Sequence, residues 1–284
     1  MTTPPPDGSR DRRIEDASNR WIVHPTARAL LPAALRLRLS ANVVSLLGLV
    51  SGIGAAWCYA RWTSPVAAVA GLLLSVGWLI ADGLDGMVAR ATDTASALGR
   101  FLDGVCDHGV FILIYVSIAL SIGTAHGWAL AVAAGAAHAV QSSLYEGERM
   151  RFHRRLKGRA EVDSGIPSAN PLVRGYDALA GSVGRLARQF EETLAASPRP
   201  DQLGLTYGEA AVAPMRLLSL LSANVRVLAI FIACLVGRPA LFWWFELVPL
   251  TVVAMIGLVW HRRVEQRLAA PSNSRRGGRP SSYA

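Results

Sequence analysis

Four aspartates recur at helical intervals within residues 82–107. Asp82 and Asp85 are three residues apart, and Asp103 and Asp107 are four apart, so each pair lies on one face of a helix. If the two helices pack together, the four carboxylates converge and repel one another. A bound cation would remove this conflict, so the spacing predicts a cation site.

The ligand types indicate which cation would bind. Oxygen-only ligands favour Mg²⁺ or Mn²⁺ over zinc, and Mg²⁺ commonly shares its coordination shell with phosphate oxygens. Small residues extend the same helix faces and leave a slot beside the backbone: Gly86, Ala89 and Gly99. A carboxylate cage next to such a slot predicts a substrate that contains a pyrophosphate.

The stretch also fits a longer pattern, D-x2-D-G-x2-A-R-x8-G-x3-D-x3-D, with Arg90 as its one basic member. All eight specified positions are present at fixed spacing, which makes the motif highly specific. The chain thereby resembles the CDP-alcohol phosphotransferases, which are integral membrane enzymes of phospholipid synthesis. The motif covers residues 82–107, and the pattern of apolar segments around it extends the resemblance over most of the chain.

The resemblance implies a reaction and a role for each motif residue. Members of the family cleave the pyrophosphate of a CDP-linked alcohol, pass the phosphoalcohol to a hydroxyl acceptor and release CMP. The four aspartates would hold one or two ions of Mg²⁺ or Mn²⁺, and Asp107 would also be the general base on the acceptor hydroxyl. Gly86, Ala89 and Gly99 would line the cytidine pocket, with Arg90 near the phosphates or stabilising the loop. A homodimer is a further expectation from the family.

A second set of polar residues is a candidate for binding the acceptor. Tyr145, Arg149 and His153 follow one another at intervals of four residues and form a polar stripe on one helix face. This stripe either binds a phosphate-bearing acceptor or anchors the helix at the membrane surface. Arg226 lies within an apolar segment, where an unpaired charge is costly, so it either reaches back to the head groups or lines the substrate pocket. We favour the pocket.

The elements that position these residues are predicted to be membrane-spanning helices. The chain is 52% hydrophobic and 17% charged, whereas soluble domains carry about a quarter charged residues. Six apolar segments are long enough to span: 42–60, 66–88, 97–122, 127–148, 217–236 and 240–260. The segment 26–39 is amphipathic and too basic to span, which predicts an interfacial helix. The fold class is therefore an all-α integral membrane protein.

The arginines predict the orientation. With the N-terminus inside, the outer loops contain only Arg61 and Arg238, and nearly all other arginines lie on the inner side. Both termini are therefore expected in the cytoplasm, with the aspartate motif at the cytoplasmic face of the inner membrane. The net charge of +9 is explained by arginines that hold the membrane topology and face anionic lipid head groups, so no nucleic-acid partner is expected. No cleavable signal peptide is expected in the Pro- and Arg-rich start.

The predicted organisation has four parts. Residues 1–25 form a flexible basic N-terminus, 26–39 the interfacial helix, 40–262 the six-helix catalytic domain and 263–284 a basic, disordered tail. A cytoplasmic insertion occupies about 149–216, and it contains a predicted surface helix near 172–195. Membrane lipids are expected partners throughout.

Three functions are compatible with these patterns. The first is transfer of a phosphatidyl group from CDP-diacylglycerol to a small polyol or its phosphate. The second is transfer from a soluble CDP-alcohol to a lipid hydroxyl. Outside the enzyme class, the same carboxylates could serve a cation- or proton-coupled transporter. The complete motif favours the enzyme, and the residues around it leave the acceptor open.

Overall fold

The computed structural model describes residues 11–94, 97–160 and 188–270, and it leaves out the side chains of residues 97–107. Its regular elements in these ranges are all helical. The main helices are α1 (His24–Arg36), α2 (Ala41–Tyr59), α3 (Pro65–Ala91), α4 (Ala97–Ile122), α5 (Ala125–Leu156), α6 (188–196), α7 (Pro200–Ala210), α8 (Val212–Leu218), α9 (Ala223–Leu235), α10 (Ala240–Phe245) and α11 (Thr251–Ala269). Two π-helical turns, Asn19–Val23 and Glu246–Leu250, precede α1 and α11.

The helix starts follow from local sequence. Ser40 caps α2, because its side-chain oxygen accepts a hydrogen bond from the backbone N–H of Val43 at 3.3 Å. Ser64 caps α3 in the same way, and Pro65 occupies the first helical position, where a missing N–H costs nothing. These caps satisfy backbone donors that would otherwise have no partner at the helix ends.

Length and composition mark this chain as a membrane protein. Within the described residues, three helical segments are long and apolar enough to cross a bilayer: Ala41–Tyr59, Pro65–Ala91 and Ala240–Ala269. A fourth is added if Val212–Leu221 and Ala223–Leu235, which are bent by 44°, form one broken span. Helix α2 also exposes large apolar side chains such as Leu46 and Val50, as a lipid-facing surface does. The all-helical membrane class is confirmed, and the count of six spans stays a prediction.

The helical contacts divide the chain into two compact units. The first comprises Met1–Gly147 and Arg216–Met255, and the second comprises Glu148–Met215 and Ile256–Ala284. The predicted division into a catalytic domain, an insertion and a tail stays a prediction. The contacts group the predicted insertion with the end of α11 instead.

Close helix contacts build the core of the first unit. Gly52 on α2 lies so close to Val110 on α4 that a Cβ at position 52 would collide with the valine side chain. On α3, Gly83 packs against α1, because a Cβ there would lie 3.7 Å from the Cβ of Ala27. Thus α2 and α4 pack together, and α1 packs on α3 next to the aspartates. Whether α1 lies in the membrane interface stays a prediction.

The second unit has a separate aromatic core. Phe190 of α6 stacks on Tyr207 of α7 with ring centroids 5.0 Å apart, and Phe152 of α5 lies 5.9 Å from the same ring. All three rings are fully buried. Gly204 lets α7 approach the end of α5, since a Cβ there would collide with the carbonyl oxygen of Arg155.

Several predicted boundaries differ from the structure. Within the N-terminus that was expected to be flexible, residues 19–23 form a helical turn and Ile14 is buried. Helix α11 runs to Ala269, so residues 263–269 are helical although they were assigned to the disordered tail. Tertiary contacts outweigh the basic composition there, since Glu265 is fully buried. The remainder of that tail, residues 1–10 and most of the predicted 172–195 helix lie outside the described residues.

Candidate functional site

The first two aspartates of the motif lie on the same side of α3. Asp85 is buried, with 6% of its surface exposed, and Asp82 is half-buried. The hydroxyl oxygen of Ser45 on α2 lies 2.5 Å from Oδ2 of Asp85, and it also lies 3.1 Å from the carbonyl oxygen of Ala41. Helix α2 therefore helps to orient the Asp85 carboxylate. Sequence reasoning missed Ser45, because no spacing rule connects it to a residue forty positions away.

The slot beside the aspartates is described at Gly86. A Cβ added at Gly86 would meet Nη1 of Arg90 at 3.4 Å and Nη2 at 3.9 Å, and no other described atom lies within 4 Å. The guanidinium of Arg90 therefore lies over the glycine one turn earlier. Ala89 is half-buried on the same helix. This arrangement offers a positive group beside an open backbone face, as a phosphate-binding slot requires.

A ring contact sets the register between α3 and α4. The indole of Trp78 meets the ring of Phe111 edge-on, with centroids 5.3 Å apart and an interplanar angle of 81°. Asp82 is one helical turn from Trp78, and position 107 is one turn from Phe111 in the antiparallel direction. Positions 82 and 107 thus fall at corresponding levels of the two helices.

Three motif residues fall in the part of α4 whose side chains are not described. Positions 99, 103 and 107 are helical. We predict that Asp103 and Asp107 complete a four-carboxylate cluster and that Gly99 lines the nucleotide pocket. The side chains of these three residues lie outside the described part of the structure. The cluster stays a prediction, supported by the register at Trp78 and Phe111.

The described donors fit a hard divalent cation. Asp82 and Asp85 supply carboxylate oxygens, and the contact beside Asp85 is a hydroxyl. A set of oxygen ligands suits Mg²⁺ or Mn²⁺. The chemistry of these residues is therefore compatible with the predicted metal.

A second acidic group lies in the other unit. Ligand atoms of Glu148, His261 and Glu265 all lie within 4.8 Å of one another, and the three residues are buried, so by spacing alone this group could hold a metal ion. Nδ1 of His261 is 2.7 Å from Oε2 of Glu148, and Nε2 of His261 is 2.8 Å from the hydroxyl of Tyr207. No spacing rule links His261 to Glu148, because the two residues lie on different helices.

Arginines already neutralise this second group. Arg262 contacts both Glu148 and Glu265, and Arg155 contacts Glu265 and also Glu191, the latter at 2.7 Å. Burial alone lowers the pKa of Arg155, but Tyr207 and nearby carboxylates outweigh it and raise that pKa above its ordinary value. Adding a dication to carboxylates that already face guanidinium groups would be electrostatically unfavourable. The group fits a closed ion-pair network better than a metal centre.

The residues predicted to bind the acceptor share one face of α5. Tyr145, Arg149 and His153 are all half-buried and follow one another at intervals of four residues along the helix. Tyr145 belongs to the first unit, whereas Arg149 and His153 belong to the second. Their role in acceptor binding stays a prediction.

Arg226 is fully buried and bound on all sides. Its Nε donates to Oε1 of Glu246 at 2.8 Å, its Nη2 donates to Oε1 of Gln141 at 2.9 Å, and its Nη1 donates to the carbonyl oxygen of Leu221. The arginine thus does not reach the solvent-accessible surface of the described protein. A role in the substrate pocket stays a prediction. That role would require the acceptor to reach a guanidinium that already donates to Glu246, Gln141 and Leu221.

Glu246 was missed in the sequence, although a signal for it exists. Arg226 is the one charged residue of segment 217–236, and Glu246 is the one charged residue of segment 240–260. Two lone, opposite charges in consecutive apolar segments favour pairing, because each is costly alone in a bilayer. Glu246 also accepts a hydrogen bond from the hydroxyl of Tyr115 at 3.0 Å.

Comparison with known proteins agrees with this geometry. Residues 38–155 match the family model for CDP-alcohol phosphatidyltransferase, and the match contains the whole aspartate motif. No curated protein matches the chain significantly. These residues are thus similar to a family of phosphotransferases, and the match supports the resemblance found in the sequence.

Proposed function

We propose that the protein catalyses the divalent-metal-dependent transfer of a phosphatidyl group from CDP-diacylglycerol to the hydroxyl of a small polyol or its phosphate. The match of residues 38–155 to the CDP-alcohol phosphatidyltransferase model supports transfer of a phosphoalcohol from a CDP-alcohol. The observation that supports a metal site in the motif is the contact of Trp78 on α3 with Phe111 on α4, which puts Asp82 and position 107 at corresponding levels of the two helices. The product would be a phospholipid, with CMP as the second product.

Each motif residue has a proposed role in this reaction. Asp82, Asp85, Asp103 and Asp107 would hold Mg²⁺ or Mn²⁺, which would neutralise pyrophosphate charge when bound. Arg90, lying over Gly86, would face the same phosphates. These contacts would hold the CDP moiety while the acceptor approaches.

Group transfer would then proceed by in-line displacement. The acceptor oxygen forms a bond to the phosphorus of the phosphatidyl group, and the bond from that phosphorus to the oxygen of CMP breaks. Asp107 takes the proton of the acceptor hydroxyl, and CMP leaves with the electron pair of the broken bond. Tyr145, Arg149, His153 and Arg226 are the residues we propose for the acceptor side.

We also propose a membrane location and a topology for the protein. The distribution of arginines supports six spans with both termini in the cytoplasm, an inner-membrane location and a site at the cytoplasmic face. A homodimer is proposed from the family alone. These features are independent of the identity of the acceptor.

CMP release from the purified protein in nanodiscs tests the reaction. CDP-diacylglycerol is supplied with a panel of head-group alcohols and Mg²⁺ or Mn²⁺, and lipid products are identified by mass spectrometry. Parallel reactions with soluble CDP-alcohols and diacylglycerol distinguish the opposite donor arrangement. A chelator should abolish release, and metal-independent release would contradict the proposal. Absence of release from every donor would favour the transporter alternative.

Two aspartate variants sharpen this test. Asp85→Asn should reduce CMP release by at least about a hundredfold, because it removes a charged ligand from the metal and phosphate site. Asp93→Asn is the matched control: Asp93 is exposed, is not one of the eight specified residues of the motif and has φ of 53°, a conformation that Asn also adopts readily. Equal loss in both variants would refute the assignment of Asp85.

Asp107→Asn tests the general base. The substitution keeps the size of the side chain but removes its ability to accept a proton, so turnover should be abolished while CDP-donor binding is largely retained. Binding is measured by equilibrium dialysis with labelled donor. Turnover at the wild-type rate would eliminate Asp107 as the base.

A further inference from the structure

A cavity of about 530 Å³ lies at the end of the first unit remote from Asp82. The chain order places it there: its walls come from the α2–α3 connection, the end of α4 and the start of α10, whereas Asp82 lies near the other end of α3. Its main lining residues are Trp62, Ile122, Arg238, Ala240, Leu241 and Trp244. None of them belongs to the transferase motif.

The walls combine an apolar groove with one cation. Among the described residues that line the cavity, Arg238 alone carries a formal charge. The indole nitrogen of Trp62 donates to the hydroxyl of Ser121 at 3.0 Å, which fixes one aromatic wall. Trp244 forms another wall and remains half-exposed at 49%. The groove is therefore built from oriented aromatic side chains.

The backbone presents Arg238 at the rim. Gly237 has φ of +68°, a conformation that suits glycine, and it turns the chain between α9 and α10. The backbone N–H of Arg238 then donates to the carbonyl oxygen of Ala233 at 2.9 Å. The side chain of Arg238 is exposed beside the apolar wall.

These features select a ligand with two parts. A small soluble anion would pair with Arg238 but leave the apolar wall uncovered. A neutral hydrocarbon would cover the apolar wall but leave Arg238 without an anion. Tryptophan and arginine are also the side chains that favour the level of lipid head groups in a bilayer. A phosphate on a hydrocarbon chain satisfies both halves of the cavity.

We propose that this cavity binds an anionic glycerophospholipid. Its phosphate pairs with the guanidinium of Arg238, and one acyl chain follows the apolar wall formed by Ile122 and Leu241. The lipid is bound at the end of the helices remote from the aspartate motif, so it is a structural ligand and not the transferase substrate. The proposal rests on the membrane location and is independent of the transfer reaction.

The nearby Arg61 supplies a matched control. Its guanidinium carbon lies 3.4 Å from the ring centroid of Trp57, and its Nη1 donates to the carbonyl oxygen of the same residue at 2.9 Å. Arg61 thus lies at the same end of α2 as the cavity, but its guanidinium is held by its own helix. Arg61→Gln removes the same charge from this end of the protein without touching the cavity.

Photolabelling in nanodiscs tests the site. The full-length protein is reconstituted with a diazirine analogue of phosphatidylglycerol or of phosphatidylcholine, irradiated, and mapped by peptide mass spectrometry. In the wild type, the peptides of interest are those that contain Ile122 and residues 238–244. We expect the phosphatidylglycerol analogue to label them at least threefold more strongly than the phosphatidylcholine analogue does. Arg238→Gln and Leu241→Trp, which fills the groove, should each remove most of this excess, whereas Arg61→Gln should retain it.

Two controls separate the outcomes. Thermal unfolding and size-exclusion chromatography of each variant in detergent show whether the protein is still folded, and this control does not depend on the transferase activity. Excess soluble glycerol phosphate should leave the labelling unchanged, and competition by it would show a head-group site without a lipid requirement. Equal labelling by both analogues, or labelling unaffected by Arg238→Gln, would overturn the proposal.

Discussion

Replacing Arg226 by methionine should strongly destabilise the first unit, to which Arg226 belongs. Arg226 is fully buried, and its removal leaves the equally buried Glu246 without a cationic partner. Breaking a buried ion pair from one side costs about 3–5 kcal/mol. Tyr115 still donates to the carboxylate, and His138 lies 3.4 Å from it, so the lower half of this range is expected.

The double variant Arg226→Met/Glu246→Met provides the critical comparison. It removes both charges and fills similar volumes with apolar side chains, a change that is often neutral or stabilising in protein interiors. Thermal unfolding in detergent, followed by size-exclusion chromatography with fluorescence detection, measures both proteins. A loss of about 3 kcal/mol corresponds to a fall of roughly 6–12 °C in Tm for a protein of this size. The double variant should recover most of that fall.

Activity measurements on the same proteins separate a structural role of Arg226 from a role in acceptor binding. If the arginine serves only to balance Glu246, the stable double variant retains the wild-type KM for the acceptor. A stable double variant with a raised acceptor KM would show that Arg226 also contacts the acceptor. If the single variant unfolds at the wild-type temperature, the reasoning from the buried pair is refuted.

Three glycines give further predictions. Gly204→Ala should lower stability by about 1–3 kcal/mol, because its Cβ would collide with the carbonyl oxygen of Arg155, whereas Gly135→Ala, with no described neighbour within 4 Å, should be neutral or slightly stabilising. Thermal unfolding of the two variants checks this, and equal Tm values would contradict it. Gly86→Ala should raise the KM for the CDP-linked donor severalfold with little loss of stability, because its Cβ meets only the movable guanidinium of Arg90. Steady-state CMP release measures the effect, and an unchanged KM would remove Gly86 from the donor site.

Local patterns were sufficient to predict the helical class and the aspartate motif. The intervals between Asp82 and Asp85, and the long apolar runs on either side, depend only on helix periodicity and bilayer thickness. Ser45 could not be predicted in this way, because its contact with Asp85 depends on how α2 packs on α3. Spacing along one helix gives no information about a neighbour on another.

The charged network of the second unit shows the same limit. Glu148, His261 and Glu265 are brought together from α5 and α11, and Arg155 contacts Glu265 across more than a hundred residues of sequence. Composition indicated that the basic C-terminal residues were a solvated tail. Burial of Glu265 against two guanidinium groups reverses that interpretation for residues 263–269, because the charges there are paired inside the protein.

The pairing of Arg226 with Glu246 also constrains the biogenesis of the protein. Arg226 emerges from the ribosome twenty residues before its partner, and only residues 236–239 separate α9 from α10. A lone arginine opposes insertion by up to about 2.5–3.5 kcal/mol at the centre of a spanning helix and by less near its end, and Arg226 is the fourth residue of α9. Helix α9 should therefore partition into lipid as a hairpin with the segment that follows it. A nascent chain truncated before Glu246 should remain longer at the insertion machinery than one that contains it.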